Sequence, residues 1–212
     1  MKNHFLVIIS AVIYFTAACG TGPGNTPHSD SSSTIDPSTE SLTPANTQTP
    51  FTEKKFEGKG ITYIVREDKS LGMSVSRITI IASDSSYTDS LNLGDKDPVQ
   101  TGMLADLDEN TRDELYLVTR SVGSGTYAHI FGFMRDEQNK LVAIEVPEIS
   151  PEDQTKGKLF EGYMGHDTVY IQKNKLVRKF PKYNPGDAND KPTGGNGTIR
   201  YSLVGTTLEP VK

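Results

Sequence analysis

The chain has 212 residues, with 22 basic and 27 acidic side chains and a formal net charge of −5. This acidic balance argues against a nucleic-acid binder, because such proteins usually carry a basic excess for phosphate contacts. A single cysteine, Cys19, excludes an intrachain disulfide and a metal site built from several thiolates. A hydrophobic content of 34% excludes a polytopic membrane protein. These numbers leave a soluble domain with a separate segment in front of it.

Residues 1–18 are predicted to be a lipoprotein signal peptide. A short start with one lysine precedes a fourteen-residue apolar run, residues 5–18, which suits a signal sequence and is too short for a stable membrane span. Small residues lead directly into Cys19, an arrangement that resembles the lipobox of bacterial lipoproteins, in which the cysteine is acylated. The alternatives are an ordinary secretory signal with a chance cysteine, or a buried core segment. We expect a lipid-anchored protein of the bacterial cell envelope, on the periplasmic side of a membrane or at the cell surface.

Residues 19–50 are predicted to be the lipidated Cys19 followed by a disordered linker. Ser, Thr, Pro and Gly supply 21 of the 31 residues after the cysteine. Such a segment buries too little apolar surface to offset the entropy of ordering it. Residues 51–212 are therefore the working domain.

The working domain is predicted to be all-β, an antiparallel β-sandwich or barrel of about eight strands. Short segments of alternating or β-branched residues recur between turn signals, which is typical of those architectures. A proline and two acids after Ser150 predict one short helix in a connection. The segments predicted as strands are 60–66, 74–82, 102–107, 114–120, 127–135, 140–146, 168–172, 176–180 and 198–204, with 207–211 left open as a further strand.

The segment Arg120-Ser121-Val122-Gly123-Ser124-Gly125-Thr126-Tyr127 is the first candidate for function. Glycines in the loop allow a backbone to approach a partner closely, Ser124 offers a small donor and acceptor, and Tyr127 a rigid ring with a polar tip. A loop of this kind can enter another protein's cleft. The alternative is a Gly-rich hairpin connection that has no partner.

An acidic stretch from Asp106 to Glu114 is the second candidate. Oxygen-bearing side chains at positions 1, 3, 5 and 9 of a short loop are the layout that calcium favours. Here Asp106, Asp108, Asn110 and Glu114 occupy those positions. The alternative is a solvated turn whose Asp and Asn side chains cap their own backbone.

A long loop, residues 180–197, is the third candidate, because loops of more than about twelve residues in compact domains are often functional. Basic side chains lead into it; these are Lys173, Lys175, Arg178, Lys179 and Lys182. The alternative is a solvated strand face and a purely structural, omega-like loop. The two histidines of the domain, His129 and His166, have no metal-ligand spacing, and we interpret each as a hydrogen-bonded strand residue.

Residues 104–133 resemble the central region of the bacterial periplasmic inhibitors of invertebrate-type lysozymes. The similarity consists of an acidic turn that ends in Glu, a hydrophobic strand, and the sequence Arg-Ser-x-Gly-Ser-Gly-x-Tyr. In those families a Ser-Gly-x-Tyr loop enters the lysozyme cleft and meets its catalytic carboxylates. The resemblance implies a lysozyme-binding role for Ser124, Gly125, Thr126, Tyr127 and Arg120.

Together these observations predict a membrane-anchored envelope protein that binds and inhibits lysozyme without being an enzyme and without a cofactor. The runner-up is a calcium-stabilised extracellular adhesion or scaffold module that uses the Asp106–Glu114 turn. A glycan or peptidoglycan hydrolase comes third. The expected partners are lysozyme and, through Cys19, a membrane; nucleic acid is not expected, and a homodimer is left open.

Overall fold

A computed structural model describes residues 50–211, and these residues form twelve β-strands that pair antiparallel, with no helix among them. The all-β antiparallel prediction is thereby confirmed. The predicted signal peptide, Cys19 and nearly all of the predicted linker lie outside the described residues. Within residues 50–211, no helix has the length and apolar character that crossing a membrane requires.

Twelve strands form three four-stranded sheets, each a meander in chain order. The first sheet contains β1 (Phe51–Gly58), β2 (Ile61–Asp68), β3 (Ser76–Ser83) and β4 (Thr88–Lys96). The second sheet contains β5 (Val99–Ala105), β6 (Glu114–Arg120), β7 (Ala128–Arg135) and β8 (Leu141–Ile144). The third sheet contains β9 (Thr168–Ile171), β10 (Leu176–Pro181), β11 (Asn196–Val204) and β12 (Thr207–Val211).

The second sheet takes part in two hydrophobic cores. Successive side chains of β6 alternate between them: Leu115 and Leu117 join a core with β2 and β3, while Tyr116 and Val118 join a core with β10 and β11. Burying each large apolar side chain contributes roughly 1.5–3 kcal/mol to folding. Because β6 is buried on both faces, it is a firmly held element from which a loop can be presented.

Two strands, β1 and β4, were not predicted. Both are edge strands of the first sheet, and their sequences (FTEKKFEG and TDSLNLGDK) carry charged or polar side chains at most positions. Phe56 of β1 and Leu91 and Leu93 of β4 pack against the core, but most other side chains of these strands are polar and solvated, so the apolar alternation is too short to identify a strand. The fold therefore has more strands than the eight or so expected.

The short helix predicted after Ser150 is wrong. Residues 150–155 form consecutive turns in which Asp153 N donates to Ser150 O at 3.1 Å and Thr155 N donates to Glu152 O at 3.1 Å. Ser150 Oγ also accepts a hydrogen bond from Asp153 N at 3.2 Å, as a helix N-cap would. The chain does not continue as a helix because Gly157 has a positive φ of 79° and Phe160 N turns back to Asp153 O.

Strand β6 connects two of the predicted functional segments. The turn formed by residues 106–113 enters the strand and the loop formed by residues 121–127 leaves it. A seven-residue strand rises about 3.3 Å per residue, so the two segments lie roughly 20 Å apart at opposite ends of β6.

Candidate functional site

The loop between β6 and β7, residues 121–127, uses its backbone carbonyls to attach itself to the domain. The five consecutive carbonyls of residues 123–127 each accept a hydrogen bond, at donor–acceptor distances from 2.7 to 3.3 Å. In chain order the donors are Thr126 N, Asn189 Nδ2, His166 N, Arg120 Nη1 and Ser121 N. The backbone of this loop is therefore fixed, and its acceptors are consumed inside the protein.

At the tip of the same loop, the amides of Ser124 and Gly125 have no acceptor in the range 50–211, whereas the amides of Ser121, Thr126 and Tyr127 are bonded within the loop. Ser124 is exposed and Tyr127 is 41% exposed, so both hydroxyl-bearing residues are open to a partner. The exposed tip of the loop thus keeps unbonded donors, while the carbonyls of residues 123–127 are all bonded.

Tyr127 is held by its neighbours although part of its ring is exposed. The ring packs edge-on against Tyr163, with ring centroids 5.8 Å apart and an interplanar angle of 67°. A side chain at Gly125 would collide with the Tyr127 ring, since a Cβ placed there lies well inside van der Waals contact. Gly125 thus leaves room for the Tyr127 ring within the loop. The sequence had suggested a different role, close approach of the backbone to a partner.

A second segment, residues 163–167, supports the loop from behind. Gly165 has a φ of 86°, and a Cβ at this position would overlap the carbonyl oxygen of Gly125. His166 follows with a φ of 55°, and its Nδ1 lies 3.1 Å from Thr126 Oγ1. The prediction of a strand residue is wrong for His166, because it lies in this supporting turn. His129 does lie in a strand, β7, and is exposed, with Nε2 3.7 Å from Asp97 Oδ2.

Arg120 lies at the base of the loop and is engaged within the chain. Its Nη1 donates to the carbonyl of Thr126 at 2.7 Å, and its Nη2 donates to the carbonyl of Asp167 at 2.6 Å. Its Nε donates to Gln100 Oε1 at 2.6 Å. The rigid fork of a guanidinium suits such a three-way bridge. Arg120 therefore ties the loop to the supporting segment.

A buried ion pair lies beneath both segments. Arg178 Nε donates to Asp167 Oδ2, and the two side chains are 5% and 0% exposed. Asp167 Oδ1 accepts a hydrogen bond from Ala128 N at 3.1 Å, and Tyr163 donates to Oδ2 at 3.3 Å. Burial raises the pKa of the Tyr163 phenol above its usual value. The alternative of a solvated strand face is wrong for Arg178, because its side chain is buried and Asp167 compensates its charge inside the protein.

The long loop predicted at residues 180–197 is ordered and reaches the candidate site. Asp187 accepts hydrogen bonds from Thr193 N and Asn184 N, both at 2.8 Å, and these bonds lower the pKa of its carboxyl. Asn189 then donates from Nδ2 to the carbonyl of Ser124 at 2.7 Å. The structure brings the first and third predicted segments together, with residues 163–167 between them.

The acidic turn at the other end of β6 gathers its carboxylates. One oxygen from each of Asp106, Asp108 and Glu114 lies within 4.8 Å of the others. Asn110, the fourth predicted ligand, donates from Nδ2 to Asp108 Oδ2 at 2.8 Å and accepts from Arg112 N through Oδ1 at 2.8 Å. Asn110 therefore orients the turn in this conformation.

Glu114 differs from the other acids of the turn because it is 1% exposed. Its Oε2 accepts hydrogen bonds from Leu107 N at 2.8 Å and from the Tyr116 hydroxyl at 3.2 Å. Burial, assisted by the charges of Asp108 and Asp106, raises the pKa of the Glu114 carboxyl to about 8. Its Oε1 is buried and has no hydrogen-bond partner among the residues described.

An open cavity of about 780 Å³ lies next to the loop and extends along β7. Tyr127, Tyr163 and Arg178 line it together with apolar side chains of β7 and β8. Of the described residues that line this cavity, Glu148 alone has a carboxylate. Glycosidic hydrolysis generally uses two carboxylates that flank the bond. The described lining of this cavity therefore offers no pair of carboxylates for the hydrolase alternative. That the protein is not an enzyme stays a prediction.

Five residues of the site were not assigned a role from the sequence, and all five support the loop of residues 121–127. They are Tyr163, His166, Asp167, Arg178 and Asn189. One signal was available for Arg178, since it alternates with Leu176 and Phe180, both buried, and therefore lies on the inward face of β10. No comparable local pattern pointed to the others.

Protein-family models, curated proteins and solved structures were compared with this chain, and none of the three comparisons gave a match. The resemblance of residues 104–133 to lysozyme inhibitors therefore depends on the sequence of that segment alone.

Proposed function

We propose that this protein inhibits a lysozyme by inserting the loop Ser124-Gly125-Thr126-Tyr127 into the active-site cleft. One observation carries the proposal: the carbonyls of residues 123–127 all accept hydrogen bonds, three of them from residues outside the loop, while Ser124 and the Tyr127 ring are exposed and the amides of Ser124 and Gly125 have no acceptor in residues 50–211. A loop tip with unbonded donors and with these carbonyls already bonded suits a partner that offers acceptors. The catalytic carboxylates of a lysozyme cleft are partners of this kind.

The protein would inhibit by blocking the lysozyme cleft, without cleaving any bond. Adjacent backbone amides form a concave donor site that favours anions, and hydrogen bonds to a carboxylate are stronger than those between neutral groups. The amides of Ser124 and Gly125, with the Ser124 hydroxyl, would bind one catalytic acid of the lysozyme. Tyr127 would fill the neighbouring part of the cleft with an aromatic ring, the side-chain type that most often anchors protein interfaces.

Preorganisation supports the same role. Association loses free energy when flexible groups become ordered, about 0.5–1.5 kcal/mol for each side chain that is immobilised. Here the backbone is already tied by its carbonyls, and the Tyr127 ring is already packed against Tyr163. The loop would bind in the conformation that it has in the free protein, so little of the interaction energy is lost to ordering.

Charge and location fit this partner. Residues 51–212 have a formal net charge of −3, which favours encounter with a basic lysozyme, although salt weakens the attraction. We propose that the protein acts at the bacterial envelope, tethered through a lipid on Cys19. Membrane fractionation of a Cys19→Ser variant tests the tether, and a variant that stays in the membrane fraction after normal processing would contradict it.

A turbidity assay of cell-wall lysis tests the function directly. Lysozymes of several classes are incubated with the purified protein, with Tyr127→Ala, or with Phe51→Ala as an aromatic control that is 61% exposed on β1. Loss of a central aromatic anchor costs about 2 kcal/mol or more, so we expect at least about thirtyfold weaker inhibition for Tyr127→Ala. Phe51→Ala should inhibit as the unaltered protein does.

Ser124→Ala refines the same assay, with Ser85→Ala as the control at an exposed serine of the first sheet's last turn. Removing a donor to a buried carboxylate costs about 1–3 kcal/mol, or roughly five- to 150-fold in affinity. Unchanged inhibition by both loop variants, with unchanged melting temperatures, would refute the insertion of this loop. Lysis by the protein alone would instead support the hydrolase alternative.

A further inference from the structure

We propose that the turn between β5 and β6 binds one divalent cation, preferentially Ca²⁺, through the carboxylates of Asp106, Asp108 and Glu114. This site is independent of the proposed lysozyme-binding loop. It would fix the entry to β6, the central strand, from outside the two hydrophobic cores.

Distances in the cluster fit a shared ion. The three carboxylate oxygens lie within 4.8 Å of one another. Calcium binds oxygen ligands at about 2.3–2.6 Å, so two ligands on opposite sides of one ion are separated by roughly 5 Å. All three oxygens can therefore contact a single ion placed among them.

Glu114 supplies a second, independent observation. Its side chain is almost completely buried, and Oε1 has no hydrogen-bond partner in residues 50–211. Oδ1 of Asp106 is also buried and also lacks a partner in this part of the chain. Buried polar atoms are nearly always satisfied, and an unsatisfied one is strongly unfavourable. A bound cation would satisfy both oxygens at once.

No basic side chain neutralises these acids within residues 50–211, where none of the ten ion pairs includes Asp106, Asp108 or Glu114. Arg112 belongs to the same turn, but its Nη1 donates to Asn139 Oδ1 at 3.2 Å. Three carboxyl groups that converge without a basic partner provide the oxygen ligands that a divalent cation requires.

Calcium is favoured over magnesium by the kind of site. Magnesium demands a near-ideal octahedron at short distances and retains several waters, whereas calcium accepts six to eight oxygens in a flexible arrangement. Three side-chain carboxylates from one turn, completed by backbone carbonyls and water, match the calcium preference. Asn110 would act as a positioning residue here, since its side chain holds Asp108 and the Arg112 amide.

The position of the ligands indicates what the ion would do. Asp106 directly follows β5, and Glu114 is the first residue of β6, so one ion would connect two adjacent strands of the second sheet. A ligand that binds only the folded state stabilises it by RT ln(1 + [L]/Kd). Calcium should therefore raise the melting temperature in a concentration-dependent way.

Thermal unfolding and isothermal titration of the purified full chain, first stripped with EDTA, test the site with CaCl₂ and MgCl₂ as probes. We expect one calcium per chain and a rise of about 5–10 °C at a calcium concentration about 100 times Kd. Magnesium should give a smaller rise. Asp108→Asn should abolish most of the calcium response, and Glu114→Gln should do the same if it folds. Asp136→Asn, in the β7–β8 turn, is the matched control and should respond as the unaltered protein does.

Two results would overturn the proposal: no calcium-dependent shift and no binding heat in millimolar CaCl₂, or equal shifts in Asp108→Asn and the unaltered protein. Because Asp108→Asn changes a partly exposed residue, it keeps the test decisive even where Glu114→Gln fails to fold. Lysozyme inhibition is measured separately, so failure of this site and failure of the proposed function give different results.

Discussion

The two ends of β6 offer opposite hydrogen-bonding chemistry. At the entry, the carboxylates of residues 106–114 converge, and two buried oxygens have no donor within the described chain. At the exit, the carbonyls of residues 123–127 are occupied, and the amides of Ser124 and Gly125 have no acceptor within the described chain. An excess of acceptors suits a cation, and an excess of donors suits a partner rich in carboxylates.

This difference arises from side chains at one end and from backbone at the other. The entry turn contains four acids in residues 106–113, whereas the exit loop, residues 121–127, contains none. At the exit, Asn189, His166 and Arg120 donate to the carbonyls of residues 124–126, and Gly125 leaves room for the Tyr127 ring. The character of the exit loop therefore depends on residues that lie far away in the chain.

Separate neighbours support the two ends. The exit loop is backed by the Asp167–Arg178 pair, in which Arg178 comes from the third sheet. The entry turn is backed by the first sheet, where the Tyr63 hydroxyl donates to the carbonyl of Asp113 at 3.1 Å. Sites that share no partner are expected to respond additively, so each end can be altered without the other.

The largest expected effect comes from removing Asp167. Asp167→Ala leaves Arg178 buried without its counter-ion, a change that typically costs about 3–5 kcal/mol of folding free energy. Urea unfolding measures the loss. The exit loop should also lose its shape, so inhibition should fall together with stability.

Asp97→Ala is the control for this change, because Asp97 pairs at 3.7 Å with His129, whose side chain is 57% exposed. Exposed pairs contribute about 0–1 kcal/mol. Equal stability losses in Asp97→Ala and Asp167→Ala would show that the buried Asp167–Arg178 pair contributes no more to stability than an exposed pair does.

An intermediate effect is expected from Gly165→Ala, with Gly186→Ala as a matched control. Both glycines have positive φ, 86° and 93°, but a Cβ would overlap the Gly125 carbonyl only at Gly165, whereas it would meet nothing within 4 Å at Gly186. Each substitution carries a backbone strain of about 1–3 kcal/mol. The difference between the two variants isolates the steric displacement of the exit loop.

Inhibition should therefore fall at least about tenfold more for Gly165→Ala than for Gly186→Ala, an affinity difference of roughly 1.4 kcal/mol or more. The calcium response of the entry turn should stay the same in both. Equal inhibition by the two variants would mean that the close contact with Gly125 does not shape the binding loop.

Local patterns predicted the β fold and the outline of both sites. Apolar alternation identified most strands, and the apolar run in β6 (ELYLVTR) identified a strand. The same run contains apolar residues of both parities, which is the mark of a strand buried on two faces. β1 and β4 gave no such signal, because an exposed edge strand is specified by its neighbour's backbone groups more than by its own side chains.

The support of the exit loop could not be predicted in the same way, because its members are distant in sequence. Arg120 and Asp167 are 47 residues apart, and Asn189 is 65 residues from Ser124. Their contacts depend on how the second and third sheets pack, which no local periodicity encodes. The acidic turn was easier, since its carboxylates belong to one short segment.

The smallest expected effect comes from Asn189→Ala, which removes the donor to the Ser124 carbonyl at 2.7 Å without touching the outward donors of the loop. A hydrogen bond of this kind contributes about 1 kcal/mol, so inhibition should weaken roughly fivefold while the melting temperature and the calcium response hardly change. Asn184→Ala is the control, because its Nδ2 bonds Thr193 within the same long loop at 2.9 Å. If both variants inhibit equally well, the hydrogen bond to the Ser124 carbonyl is not needed for inhibition. The bonded carbonyls of the loop would then not explain why its unbonded donors can bind a partner. A selective loss in Asn189→Ala would show that residues 180–197 contribute to binding by holding the exit loop in position.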